Sequence, residues 1–134
     1  MWVRLLGRLR VSVHATKEFT RFTRRGDIDD QELCTAARRA ERGLIDADLG
    51  AGLIKQRIPR KGQGRSGGFR TLAAFRQNHR CVFLYGFPKN ERDNISDREL
   101  AHWRKVSAAF LQMTREKLGE LADVDEVREV ICED

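Results

Sequence analysis

From residue 49 to residue 90 the sequence contains no aspartate or glutamate, although 20 of its 134 residues are acidic. Metal-dependent phosphodiester chemistry needs clustered carboxylates or histidines, so this stretch excludes that scheme for itself. Cysteines are few, at positions 34, 81 and 132. Odd in number and far apart, they form neither a disulfide framework nor a CxxC zinc knuckle, and they read as three structural thiols of a reduced, cytoplasmic protein. No run approaches the ~18 apolar residues of a membrane span. The start, MWVRLLGRLR, has no apolar core or small-residue cleavage site, so no secretory signal is expected. The glycine-rich GQGRSGG lacks the GxxxxGK[ST] order of a phosphate loop and has no helix after it. Internal repeats and low-complexity tracts are also missing.

What is present is one ordinary domain over residues 1–134, with 40% hydrophobic and 34% charged residues. The net charge of +6 is sharply segregated. Residues 49–90 hold nine basic side chains, whereas residues 114–134 hold three basic against eight acidic ones. Solvated surfaces mix their signs, so a one-sign segment points to a polyanion, phosphate first. Residues 1–8 read as an extension and 114–134 as an acidic tail.

Hydrophobic periodicity predicts a strand over 9–15 and a helix capped by Thr16 and ended by Gly26. A second helix starts at Asp29, with Glu32 completing a capping box, Ile28 and Leu33 a staple, and Gly43 a stop. Three strands follow, Leu53–Ile58, Phe69–Arg76 and Arg80–Phe87, with PRKGQGRSGG as a loop between the first two. Ser96 and Glu99 open a last long helix with Leu100, Trp103, Val106, Phe110 and Met113 as its buried stripe. The tail carries one more short helix and an apolar patch at Val127, Val130 and Ile131. The order β-α-α-β-β-β-α describes an α+β domain whose helices cover one face of an antiparallel-rich sheet.

Alternation puts Lys55 and Arg57 on one strand face, and Arg70 and Arg76 on the matching face of the next strand. If helices take the aromatic side, four cations project together from the open face. Such a cluster is self-repelling and makes sense where a multiply charged anion binds, and arginine's fork holds phosphate bidentately. Of the three histidines, His79 lies nearest this face; His14 and His102 read as packing or surface residues. Tyr85 and Phe87 could stack on bases or fill the core.

The block GLIDADLGAGLIKQRIPRKGQGRSGGFRTLAAFR (43–76), then CVFLYGF (81–87), then PKNERDNIS (88–96) resembles the RelE/ParE superfamily of type II toxins. It is most similar to the HigB-like branch, over about residues 11–113. The resemblance implies a small, RelE-like, metal-independent mRNA endonuclease that acts on the ribosome and uses no cofactor. Carried over by position, Arg70, Lys55 and Arg57 are the implied catalytic groups. Arg60, Lys61, Arg65, Arg76, Lys89 and Arg92 are candidate RNA-binding groups. A terminal tyrosine or histidine found in some relatives has only His102 to match it within 93–113. The implied partners are mRNA, the ribosome and an antitoxin, of helix-turn-helix type and encoded alongside, with no membrane. The competing expectations are a ParE-type gyrase inhibitor and a nucleic-acid-binding module without chemistry.

Overall fold

The computed structural model describes residues 11–60, 64–89 and 95–133, without the side chains of residues 60 and 64–67. In chain order the elements are β1 (Ser12–Thr16), α1 (Lys17–Gly26), α2 (Asp30–Glu41), β2 (Ala47–Gly50), β3 (Leu53–Arg60), β4 (Gly64–Arg76), β5 (Arg80–Pro88), α3 (Asp97–Gln112), α4 (Arg115–Asp123) and β6 (Val127–Glu129). The six strands form one sheet in the order β2-β3-β4-β5-β1-β6. β1 runs parallel to β5, and every other neighbouring pair is antiparallel.

The caps form at the anticipated starts. Thr16 Oγ1 accepts from the Phe19 amide at 3.1 Å, and both capping boxes close, Asp29 with Glu32 and Ser96 with Glu99. The end of α1 differs by one residue. Gly26 is still helical, and Asp27 takes the left-handed conformation (φ 54°), which a short polar side chain tolerates. Gly43 (φ 83°) ends α2 as anticipated, and the Leu44 amide reaches back to the Arg39 carbonyl.

Three expectations fail. First, the glycine-rich basic segment is mostly strand: β3 runs on to Arg60 and β4 begins at Gly64. Second, β2 and β6 were not foreseen; both are short, and β2 returns through a turn whose residues 50–52 all have positive φ. Third, the helices cover both sheet faces. On one side α1 and α2 bury Phe19, Phe22, Leu33 and three alanines against Ile54, Ile58, Phe69 and Phe83. On the other, α3 and α4 bury Leu111 and Leu118 against Leu53, Leu72, Ala74, Val82 and Leu84. The anticipated stripe of α3 lies on its packed side but stays half-buried; Ser107 and Leu111 sit deepest.

The acidic tail is structural. Leu118, Val127 and Val130 are buried, and Ile131 alone of the anticipated patch is exposed. Arg128 forks onto both Asp30 carboxylate oxygens at 3.0 and 3.1 Å and donates to Thr20 Oγ1. Arg38 donates to the Glu133 carbonyl. Contrary to the all-thiol reading, a disulfide joins Cys34 in α2 to Cys132, 98 residues apart. Spacing along the chain could not show that the fold returns the tail to α2. Cys81 is the free, buried thiol, and burial pushes it up to about 12.

Gly86 shows how tightly the first core is closed. A Cβ there would sit 2.3 Å from the Phe22 ring, which is itself edge-on to Phe69. Gly86→Ala forces that aromatic cluster apart and should cost about 1–3 kcal/mol, read as an earlier midpoint in urea unfolding. A midpoint equal to that of the unsubstituted chain would mean that Phe22 moves freely.

Candidate nucleic-acid interface

Register brings the basic residues together in two rows on the face that α3 only partly covers. Arg57 of β3 stands opposite Arg70 of β4, and Arg70 opposite Phe87 of β5. One step along, Lys55 stands opposite Leu72, and Leu72 opposite Tyr85. Directly paired residues lie ~5 Å apart, so the two guanidinium stems are immediate neighbours of like charge. Arg70 is only 8% exposed. Its Nη1 and the Arg57 Nε are buried and without a hydrogen-bond partner. Neither residue is ion-paired among the described residues. A buried cationic donor with no acceptor is costly, and an anion supplying phosphate oxygens would relieve that cost.

An aromatic wall borders the rows. Tyr85 stacks on Trp103 of α3 (centroids 5.2 Å) and lies 6.0 Å from Phe87. His102 stands edge-on to Trp103 at 4.8 Å and is exposed. A β-bulge explains why Tyr85 is here. Leu72 faces Tyr85 while the next residue, Ala73, faces Phe83, so Leu84 is the extra residue. Without it, the alternation set by Cys81 and Phe83 would carry Tyr85 into the α1–α2 core.

The remaining candidates divide. Lys89 follows β5 at the same end as Arg70, its amide donating to the Gly68 carbonyl at 3.2 Å. Arg76 shares Arg70's face but lies six strand positions away, ~20 Å, where it pairs with Arg80. The four-cation cluster is therefore three cations, and Arg76 is outside it. His79 sits in the β4–β5 turn at that same far end, so it is not beside the basic face. Lys61 and Arg92 lie outside the described residues, as does the 1–8 extension. Arg60 and Arg65 are placed on β3 and β4 by backbone alone. Gly68 has a packing cause: a Cβ would fall 2.7 Å from the Ile58 carbonyl.

Two further buried titratable side chains serve the scaffold. Arg80 donates to the Phe110 and Met113 carbonyls, both at 2.7 Å, and so holds the C-terminal end of α3. Burial, with Arg115 and Arg76 adding to it, lowers its affinity for the proton. His14 is held below its ordinary value of 6.5, chiefly by burial, with Glu129 opposing and Arg80 reinforcing the shift. The unfolded chain thus takes up this proton first. Stability should be level above pH ~6.5 and fall as the pH drops through the lowered value. His14→Gln should flatten that slope in urea midpoints measured across the range; an unaltered slope would assign it to other groups.

Among the described residues no three His, Cys, Asp or Glu side chains are grouped to hold a metal ion. No helix among them is long and apolar enough to cross a membrane. Residues 11–130 match the family described as RelE toxin of RelE / RelB toxin-antitoxin system. No individual curated protein matches the chain.

Proposed function

The chain belongs to the RelE toxin family, and from that premise we propose that it is the toxin of a type II pair, a ribosome-dependent mRNA endonuclease of the HigB-like branch that inhibits translation in the cytoplasm. The observation that carries this reading is the Arg57–Arg70 pair, two adjacent cations without an ion-pair partner among the described residues and with buried donor atoms lacking acceptors.

The reaction that suits this surface is internal transfer within RNA. The 2′-oxygen bonds to the adjacent phosphorus, the bond to the 5′-oxygen breaks, and a cyclic phosphate and a 5′-hydroxyl result. One proton leaves the 2′-hydroxyl and one reaches the departing oxygen. Arg57 and Arg70 hold the phosphate through charge-assisted hydrogen bonds and stabilise the extra negative charge of the pentacoordinate transition state. Lys55, two positions from Arg57 on the same face and in the adjacent row, is the candidate proton-transfer group. Lys89 extends the cationic surface towards the flanking backbone. The Tyr85–Trp103 wall supports a base beside the scissile phosphate.

The partner is an antitoxin whose acidic segment covers this face, of helix-turn-helix type, its binding weakened by salt. Induced expression should arrest growth, and the purified chain should halt a translation reaction by cutting mRNA only when ribosomes are present. Inhibited DNA supercoiling with intact translation would identify a gyrase poison instead. Binding without cleavage or arrest would identify a nucleic-acid-binding module.

A further inference from the structure

A second basic surface lies on the opposite side of the sheet from Arg70. α1 presents Lys17, Arg21 and Arg24 at i, i+4 and i+7, one exposed face of the helix, while Phe19, Phe22 and Thr23 bury the other. These three cations line a cleft of about 460 Å3 with Thr20, Asp125, Val127 and Arg128. None of the three is ion-paired among the described residues. The cleft is preformed. The Lys17 amide donates to the Glu126 carbonyl at 3.0 Å, which ties the helix start to the turn before β6. Asp30 and Thr20 fix the Arg128 fork on the cleft's other wall.

We propose that this cleft binds the phosphodiester backbone of a nucleic acid, as a docking site separate from the Arg57–Arg70 row. Discounting Arg128, which Asp30 neutralises, Lys17, Arg21 and Arg24 outweigh Asp125 by two charges. Among the described residues the lining holds no aromatic ring on which a base could stack, so recognition is of backbone and not of sequence. Helical rise sets the three cations ~6 Å and ~5 Å apart along the axis, comparable to successive phosphates of one strand. Val127 is the lone aliphatic residue of the lining among the described residues, a poor anchor for an acidic peptide. Because Phe22 of α1 packs beneath Gly86 while Tyr85 faces the other side of the sheet, the cleft is a surface apart from the Arg57–Arg70 row. Its cations stand on one rigid helix at a fixed spacing, which suits the regular backbone of a duplex.

The test is fluorescence anisotropy on the full chain with a short labelled RNA duplex, a DNA duplex of the same sequence and a poly-glutamate peptide, over a range of salt. Arg21→Glu with Arg24→Glu should weaken duplex binding at least ~tenfold and lower the salt slope by about two. Lys17→Gln, Arg21→Gln and Arg24→Gln together form a milder variant, in case charge reversal disturbs folding. Preference for RNA would identify structured RNA as the ligand, and equal affinity would identify duplex backbone in general. Unchanged affinity in a folded variant, or tighter binding of poly-glutamate through the same residues, would overturn the assignment. Growth arrest by Arg70 variants is a separate readout, so this proposal and the nuclease reading can fail independently.

Discussion

Arg70→Ala is expected to fold, to bind its antitoxin and to lose growth inhibition, with RNA cleavage slowed about a hundredfold, on the order of 3 kcal/mol of barrier. Three features of the site set that size. Arg70 sits in the middle of the row between Arg57 and Phe87, so it is the cation with a basic neighbour on one side and an aromatic on the other. Its Nη1 is desolvated and unpartnered, so a contact to a charging phosphate strengthens in a medium that screens it little. Its nearest charged neighbour across the strands is a like charge, so truncation also removes a repulsion, and the melting temperature should change little. Arg70→Lys keeps the charge but not the fork and should recover only part of the activity. Full toxicity of a soluble Arg70→Ala chain would reject the role. A collapse of its melting temperature would make Arg70 a structural residue.

Breaking the Cys34–Cys132 disulfide should lower stability by about 4 kcal/mol, because it closes a loop with a sequence separation of 98. Urea unfolding with and without reductant measures this, and Cys34→Ser should reproduce the reduced value. The denatured, unreduced chain should show one reactive thiol, Cys81, and three after reduction. Three thiols before reduction would refute the bond. The reduced chain should still fold, since the Val130 amide donates to the Val13 carbonyl at 2.8 Å and Arg128 remains forked onto Asp30. A reducing cytosol would favour that open form.

The local signals read well where side chain and backbone answer to the same few residues. Thr16, Asp29 and Ser96 cap as their sequence contexts dictate, and Lys55, Arg57 and Arg70 share a face because β3 and β4 alternate without interruption through them. What failed depended on distant partners. Arg76 shares Arg70's parity, and parity carries no information about distance along a strand. Tyr85 reaches the site only through the bulge at Leu84, which no period-two pattern reveals. β6 is three residues long and acquires its pairing from β1, more than a hundred positions earlier. The basic stripe on α1 was legible as helical spacing, but its segment also holds eight acids, and a net charge hides a one-sided distribution.

The pairing of β6 with β1 also fixes an order of events during synthesis. The strands that carry the basic rows, β3 to β5, are contiguous and can pair as soon as residue 88 clears the ribosome. The sheet edge at β1 stays open until Val127–Glu129 arrive, about forty residues after β5. A nascent chain stalled after α3 would hold an assembled Arg57–Arg70 row next to an unpaired strand, a template for association with other chains. Truncation between Thr114 and Val127 should therefore yield insoluble protein more readily than inactive protein.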